Sequence, residues 1–292
     1  MPIDVDAALG APARTRDIAW TTRDVLLYHL SLGAGRDRGL GPELGLSYER
    51  DLRVLPTFAL VAGSGVSAGE ASPRGLDLPG IDIDLRRMLH AGQSVQVHRP
   101  IPVSARARVS TRVAEVWDKG KAAVVVLEST AATEDGPPLW TTRMQIWARG
   151  EGGFGGRPGP TDGGATPERE PDLVLDTPTS PDQALLYRLN GDLNPLHVDP
   201  DVARAVGFER PILHGLATYG VIARALCQGL VGGDPSRLTG LTARFAGVVF
   251  PGDTLRTSVW RDGDQVTLLT VDLDRDDEPV LTRANAMVAE PR

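Results

Sequence analysis

Cysteine is almost absent from this chain of 292 residues, in which Cys227 is the only one. A single thiol cannot form a disulfide within the chain, so a disulfide-stapled scaffold is excluded. Cys227 lies in the apolar stretch Leu216–Leu230, which favours a buried core thiol over a nucleophile. The chain is long enough to bury a sizeable core, in one large domain or two small ones.

Positive charge is also scarce. The 31 Lys and Arg residues are outnumbered by 38 Asp and Glu, which gives a net charge of −7, whereas a nucleic-acid-binding domain needs a basic face. No apolar run is long enough to span a membrane, and Met1–Asp4 does not begin a signal peptide. The last residues, Ala289–Arg292, are not a peroxisomal address. We therefore expect a cytoplasmic protein with no nucleic-acid or membrane partner.

The segment Glu151–Glu170 is rich in glycine, proline and charge, and it shows no periodicity. This composition is typical of a surface linker, here between residues 1–150 and residues 171–292. The two halves share a weak internal repeat, in which Leu26–Leu30 matches Leu185–Leu189.

A second match places Leu55–Val61 opposite Ile212–Ala217, and each is expected to begin an apolar helix. Enrichment in β-branched and aromatic residues then predicts three strands in each half. Each half is thus a helix against an antiparallel sheet, which predicts the α+β class. The predicted strands are Ala105–Trp117, Ala122–Ser129, Leu139–Ala148, Thr254–Trp260, Gln265–Asp272 and Val280–Val288.

The most informative stretch is Tyr187–His197, which reads Tyr-Arg-Leu-Asn-Gly-Asp-Leu-Asn-Pro-Leu-His. It places the carboxylate of Asp192 close in sequence to the imidazole of His197, and such a pair can move protons. Shortly afterwards Gly215 stands where the apolar helix begins, and a backbone N–H at a helix N-terminus can hold an oxyanion. The pattern indicates proton chemistry beside a polarised carbonyl.

Each of these residues also has a simpler interpretation. Asp192 and Asn194 are ordinary turn formers in a Gly/Pro loop, and a lone His197 would more often be structural. Asp192 with His197 could form a metal pair, but no third or fourth ligand is clustered with them, so no metal is expected. His214, just before Gly215, either binds substrate or caps the helix.

Gly-Asp-x-Asn-Pro-Leu-His followed by Ile-Leu-His-Gly-Leu resembles the hydratase motif of the MaoC-like family, the type 2 or (R)-specific enoyl-CoA hydratases. The resemblance implies a double hot-dog fold, with two antiparallel sheets that each wrap a central helix. It implies a coenzyme A thioester as substrate. The sequence suggests no metal, flavin or nicotinamide cofactor, and none is expected. The resemblance also implies that Asp192 and His197 are catalytic, that Asn194 supports them, and that the N–H of Gly215 faces the thioester oxygen.

The same resemblance implies substrate contacts. Arg244 matches a family arginine near the coenzyme A moiety, and guanidinium suits phosphate; a solvated strand arginine is the alternative. The segment Met88–Gln93 resembles Leu-Leu-His-Gly-x-Gln, with Ala91 in place of the usual glycine after His90. Lys119 resembles a lysine at the nucleotide end of coenzyme A, with a plain hairpin charge as the alternative. The other expected contacts are Glu49, Leu193, Pro195, Leu196 and His214.

The first half lacks the acidic loop. When the halves are aligned through Tyr28 and Tyr187, Gly33 falls opposite Asp192. We therefore expect one active site in each chain, in the second half. The first half is expected to be a degenerate hot dog that shapes the substrate tunnel.

The leading hypothesis is reversible hydration of a trans-2-enoyl-CoA to the (3R)-3-hydroxyacyl-CoA. A hot-dog thioesterase would share the fold and substrate class but usually has its carboxylate elsewhere. A non-catalytic acyl-thioester-binding protein would be favoured if the Asp or the His were missing, and both are present. A homodimer of the intact chain is a further expectation.

Overall fold

The computed structural model describes residues 3–36, 41–65, 78–83, 87–134, 136–160 and 166–290. Five strands belong to the first half: β1 Arg14–Trp20, β2 Met88–Val97, β3 Ala105–Asp118, β4 Ala122–Ala132 and β5 Pro138–Arg149. Five belong to the second half: β6 Leu173–Pro178, β7 Leu238–Phe245, β8 Thr254–Asp262, β9 Gln265–Asp272 and β10 Glu278–Val288. All six predicted strands are present, and the ends of each lie within three residues of those predicted.

The strands form one ten-stranded antiparallel sheet in the order β1-β3-β4-β5-β2-β7-β10-β9-β8-β6. Each half has the same internal order, so the repeat seen in the sequence is also a repeat in topology. The halves join where β2 pairs with β7, with Gly92 opposite Arg244 and Gln96 opposite Gly240. The α+β class is confirmed, and the two five-stranded sheets are joined edge to edge into one continuous sheet.

Six α-helices lie among the described residues: α1 Val5–Gly10, α2 Thr22–Ser31, α3 Leu44–Ser47, α4 Gln183–Tyr187, α5 Pro200–Ala205 and α6 Gly215–Val231. The helix α6 ends because Gly232 takes a left-handed conformation at φ 66° and donates its N–H to the carbonyl of Cys227.

Cys227 is fully buried, and burial raises the pKa of its thiol to about 12. The expected core thiol is confirmed. No helix in the described part of the chain is long and apolar enough to cross a bilayer.

The helix α6 packs directly against the first half. A Cβ on Gly220 would lie 2.7 Å from Leu32 Cδ2 and 2.8 Å from the hydroxyl of Tyr28, so no side chain fits there. Tyr28 and Tyr187, which occupy matching places in the sequence repeat, have ring centroids 6.3 Å apart. The two halves therefore share one continuous apolar core.

The prediction that Leu55–Val61 begins a long apolar helix is wrong for the described residues. The chain forms only a 3-10 helix at Pro56–Leu60 and then turns, and residues 66–77 lie outside the described part. Phe58 of this helix packs on the rings of Trp20 at 6.1 Å and Tyr28 at 5.7 Å. At the place that α6 occupies in the second half, the described residues of the first half therefore form a short 3-10 helix that packs among aromatic rings.

The segment after β5 has no helix or strand at 151–160, yet it is anchored. Asp118, at the end of β3, accepts the N–H groups of Gly153 at 2.8 Å and Gly155 at 2.7 Å. The N–H of Asp118 donates to the carbonyl of Arg157 at 2.7 Å. This part of the predicted linker is thus packed on the β3–β4 hairpin. The domain boundaries at residues 150 and 171 stay predictions from the sequence.

A buried histidine in the core predicts how stability depends on pH. His29 is fully buried, donates from Nδ1 to the carbonyl of Leu46 at 2.8 Å, and accepts the N–H of Leu55 on Nε2 at 3.2 Å. Burial lowers its pKa from 6.5 to about 4. Between these two values the unfolded chain binds a proton that the folded chain does not. The free energy of unfolding should therefore fall as the pH falls from about 6.5 to about 4, by roughly 3 kcal/mol for this imidazole.

Denaturant titrations at pH 7.5, 6 and 5 measure this slope. The variant His29→Gln keeps a donor and an acceptor but does not titrate, so its stability should depend less on pH. Identical slopes in the variant and the wild type would contradict the assignment to His29.

Candidate active site

The candidate site lies on the loop between a 3-10 helix at Arg188–Asn190 and another at Pro195–His197. Gly191 follows the 3-10 helix Arg188–Asn190 and has a φ of 115°, a backbone conformation that residues with a side chain rarely adopt. A Cβ there would also lie 2.9 Å from the Cβ of Ser64 in the first half. Glycine at this position therefore lets the loop turn sharply while it packs against the other half.

Asp192 and Asn194 shape the loop through short-range hydrogen bonds. The N–H of Asn194 donates to Oδ1 of Asp192 at 3.2 Å, and the N–H of Leu196 donates to Oδ1 of Asn194 at 3.1 Å. The second bond caps the 3-10 helix that follows. Asn194 thus contacts the carboxylate of Asp192 through its backbone N–H. Asp192 is exposed, so its carboxylate is accessible to a ligand.

His197 is held in one orientation and one tautomer. It is 8% exposed, and its Nδ1 lies 2.9 Å from the carbonyl oxygen of Ile212. A carbonyl only accepts, so Nδ1 carries the proton and Nε2 keeps its lone pair. Burial lowers the pKa of His197, against smaller opposing effects of the Ile212 carbonyl and Asp192. At pH 7 the ring is neutral and has Nε2 free to act as a base.

A second histidine, His214, lies directly against His197. Their rings are stacked, with centroids 3.7 Å apart and planes 27° apart. The Nε2 of His214 lies 3.2 Å from the backbone carbonyl of Asp192, so it carries a proton and donates it. Burial first, and then the neighbouring His197, lower the pKa of His214 to about 4. His214 is therefore also neutral at pH 7.

Neither role that the sequence left open for His214 matches this arrangement. Its residue is 1% exposed, so substrate cannot reach the ring in this structure. It occupies the N-cap position of α6, but its side chain makes no capping hydrogen bond. The ring instead contacts the two residues that the sequence identified as catalytic.

His214 also corrects the expectation that no third metal ligand lies beside Asp192 and His197. One ligand atom from each of the three lies within 4.8 Å of the others. The stacking makes them a poor donor set, because an imidazole lone pair lies in its ring plane. Two stacked ring planes that differ by only 27° do not converge at a zinc–nitrogen bond length of about 2.1 Å. That the site works without a metal stays a prediction.

The N-terminus of α6 completes the site. Gly215 is the first residue of this helix and is exposed. The first N–H groups of an α-helix have no partner within the helix, and the helix dipole adds positive potential there. The hydrogen bond from His214 to Asp192 holds the acidic loop beside this first turn. The N–H of Gly215 is thus placed to bind an anionic oxygen next to the Asp192–His197 pair.

Comparisons with known proteins show the family of the chain. A model of the MaoC-like domain matches residues 162–277, and a model of the MFE-2 hydratase 2 N-terminal domain matches residues 19–150. An enoyl-CoA hydratase of Mycobacterium tuberculosis is 49% identical over 282 residues, which cover 97% of this chain and 98% of the relative. The chain belongs to the MaoC-like family of type 2 enoyl-CoA hydratases.

Solved structures support the same fold. A MaoC-like dehydratase from Phytophthora capsici superimposes with a TM-score of 0.89 at 29% identity, covering 99% of this chain and 100% of that one. A Mycobacterium tuberculosis protein described as a double hot dog has a TM-score of 0.56 at 14% identity over 95% of both chains, and shares the fold alone. The predicted double hot-dog fold of this MaoC-like chain is confirmed.

In this family member the first half brings His90 and Ala91 to the site. His90 Nε2 lies 3.1 Å from the amide oxygen of Gln93, and its ring packs edge to face on Phe245 with centroids 4.8 Å apart. Burial lowers the pKa of His90, and Asp192 acts weakly against this shift. Ala91 is the extra residue of a β-bulge in β2, where the pairing with β5 shifts. These residues lie beside α6, because the same Phe245 ring lies 3.4 Å from a Cβ built on Gly215.

Arg244 lies on β7 opposite Gly92, at the junction between the halves. Its side chain is exposed and makes no ion pair or hydrogen bond with the residues that the structure describes. A free guanidinium close to Phe245 and β2 can bind a phosphate. The contact of Arg244 with coenzyme A stays a prediction.

Two other expected contacts lie farther from the loop. Lys119 donates from Nζ to the carbonyl of Pro160 at 3.2 Å, and its ammonium lies 5.5 Å from the centroid of the Trp117 ring. These contacts hold the Lys119 side chain at the β3–β4 hairpin. Glu49 is exposed and lines a cleft of about 660 Å³ that Asn190 also lines, next to the acidic loop.

Within the loop, Leu193 and Leu196 are half-buried and Pro195 is exposed. They remain candidate substrate contacts. Two further residues of the site, Ile212 and Phe245, were not predicted. Ile212 acts through its backbone carbonyl, which no side-chain pattern reveals, and Phe245 acts through the pairing of strands that lie far apart in the sequence.

Proposed function

We propose that this chain catalyses the reversible hydration of trans-2-enoyl-CoA to (3R)-3-hydroxyacyl-CoA. One observation carries the proposal: a carboxylate oxygen of Asp192 and a ring nitrogen of His197 lie within 4.8 Å of each other beside the open N-terminus of α6. The name of the Mycobacterium tuberculosis relative, an enoyl-CoA hydratase, supports the same reaction.

The pair can hold and activate water. Two hydrogen bonds of about 2.8 Å each span a gap of this size, so one water molecule fits between carboxylate and imidazole. Nδ1 of His197 is engaged by Ile212, so the ring acts through Nε2. The water oxygen bonds to C3 as its proton passes to the pair, and the pair returns a proton to C2. No net proton is consumed, and the reverse steps dehydrate the product.

The N-terminus of α6 stabilises the charge that develops in this reaction. As the C3–O bond forms, the C2=C3 electrons shift toward the thioester carbonyl, and its oxygen becomes enolate-like. The N–H of Gly215 donates to that oxygen, and the helix dipole adds to the stabilisation. Because the donor belongs to a packed helix, it needs no reorganisation during the reaction.

The acyl group is expected to occupy the cleft of about 660 Å³ between the halves. Asn190 and Ser64 line this cleft. Asn190 precedes Gly191 in the chain, and Ser64 packs against Gly191 in space. Apolar residues share the rest of the wall with the charged Arg23, Asp24 and Glu49, and most of the wall comes from the first half, which supports a role for that half in shaping the acyl site. Its apolar residues are Leu26, Leu27, Leu30, Phe58, Val61 and Leu189.

Turnover of crotonyl-CoA and longer homologues, with chiral analysis of the 3-hydroxyacyl product, tests the proposal. Release of free coenzyme A thiol without a hydroxyacyl product would indicate a thioesterase instead. Tight binding with neither product would indicate an acyl-thioester-binding protein. The cytoplasmic location and the homodimer stay predictions from the sequence.

Arg244→Ala should raise KM for acyl-CoA about tenfold or more while kcat changes little. A contact to the distant phosphates is nearly the same in the ground state and the transition state, so its loss weakens binding without slowing chemistry. Steady-state kinetics on one acyl-CoA measure both constants. Arg106→Ala is the matched control, because Arg106 is also an exposed strand arginine but pairs with the edge strand β1 opposite Ala19. An unchanged KM in Arg244→Ala would remove Arg244 from the binding site.

A further inference from the structure

His214 is a titratable group at the centre of the site that the proposed mechanism leaves without a task. It is 1% exposed, yet it contacts both members of the proton-transferring pair. Its ring is stacked on His197 at 3.7 Å, and its Nε2–H donates to the backbone carbonyl of Asp192 at 3.2 Å. The centroid of the His214 ring also lies 5.0 Å from that of Tyr187.

His214 is also next to the proposed oxyanion-binding residue in the chain. His214 immediately precedes Gly215, whose N–H begins α6. The backbone of His214 therefore belongs to the oxyanion-binding turn, while its side chain holds the acid–base loop. One residue links two parts of the site that are 22 positions apart in the sequence.

The contacts also require His214 to be neutral in a single tautomer. Nε2 faces a carbonyl and carries the proton, and Nδ1 is buried without a hydrogen-bond partner in the described structure. The charged groups around the ring are Asp192 and Arg188, of which Asp192 raises and Arg188 lowers the pKa of His214, together with the stacked His197, which lowers it. A proton on Nδ1 would have no acceptor and would place a charge against the His197 ring.

We propose that His214 is a positioning residue: its Nε2–H ties the Asp192 loop to the first turn of α6, and its ring holds the imidazole of His197 by stacking. The inference rests on the proposed hydratase function. His214 does not touch the substrate. It sets the distance between the groups that move protons and the N–H that binds the thioester oxygen, and such distances govern kcat more than binding.

Two variants separate the hydrogen bond from the stacking. His214→Phe keeps an aromatic ring against His197 but lacks the donor, whereas His214→Gln keeps a donor but lacks the ring. Both should lower kcat by about tenfold or more with KM within about twofold of the wild type. Their pH profiles should differ. Loss of the ring in His214→Gln exposes His197, so the acid limb of kcat/KM should move to higher pH; in His214→Phe it should stay in place.

These readouts distinguish positioning from a purely structural role. A merely structural residue would lower the melting temperature and the active fraction, but both variants would keep the wild-type pH profile. That result would overturn the proposal, as would unchanged kcat in both folded variants. A raised KM with unchanged kcat would also overturn it, since that pattern belongs to a substrate contact.

A measurement on the wild-type protein covers the case in which the variants do not fold. NMR of the imidazole nitrogens should show His214 as the Nε2–H tautomer with no titration between pH 8 and about pH 5. A titration near the ordinary pKa of 6.5 would overturn the proposal without any variant. Wild-type protein that shows this NMR signature but no hydration of enoyl-CoA would instead contradict the proposed function alone.

Discussion

Asp192→Asn and His197→Asn should each lower the rate of enoyl-CoA hydration by about 100-fold or more, with the fold intact. Asp192→Asn removes the negative charge with almost no change of shape. His197→Asn keeps an N–H that can reach the carbonyl of Ile212 but removes Nε2, the free base. The expected loss reflects the need for matched proton transfer to and from one water molecule.

Initial rates with crotonyl-CoA measure this loss, and circular dichroism with thermal unfolding verifies the fold. The double variant should be little worse than the worse single variant, because residues that act as a unit do not contribute additively. If either folded single variant kept more than a tenth of the wild-type activity, its assigned role would be wrong.

Gly215→Pro should lower kcat by about two to three orders of magnitude by removing one oxyanion donor. The first position of a helix tolerates proline, because its N–H makes no bond within the helix. His214 has ψ at 136°, which a residue before proline can adopt. The variant should therefore lose the donor and keep α6.

Gly215→Ala is the matched control for this variant. It adds a Cβ whose three nearest neighbours are atoms of the Phe245 ring, the closest at 3.4 Å, and it keeps the N–H. The kcat ratio between the alanine and proline variants isolates the hydrogen bond from the added bulk. Equal kcat in the two variants, with α6 retained by circular dichroism, would show that the N–H of Gly215 does not stabilise the transition state.

Much of the fold could be predicted from the sequence because its signals are local. Enrichment in β-branched and aromatic residues predicted that β3 starts at Ala105 and β9 at Gln265, as observed. The apolar run after Gly215 predicted the one long helix of the described chain. The same local logic failed at Pro56–Leu60, where apolar residues that look helical pack as a short 3-10 turn among aromatic rings. Tertiary packing decides such a case.

The candidate site divides in a similar way. Asp192, His197 and Gly215 could be found because a carboxylate, an imidazole and a glycine at a helix start have chemical roles that depend on residue type. The contacts of Asn194 and Lys119 could not be predicted. The carboxamide of Asn194 caps the 3-10 helix that follows it, and the ammonium of Lys119 donates to the carbonyl of Pro160.

By itself, the sequence determined the α+β class, the repeat of two halves, the position of most strands, and the residues able to move protons and bind an oxyanion. Only the tertiary structure decided that the two sheets join through β2 and β7, and that His214 lies stacked on His197 with its N–H on Asp192. The physical reason is that secondary structure and side-chain chemistry follow from neighbours along the chain. A tautomer, a stacked ring and a shared sheet depend on groups that the sequence separates by tens of residues and that only folding brings into contact.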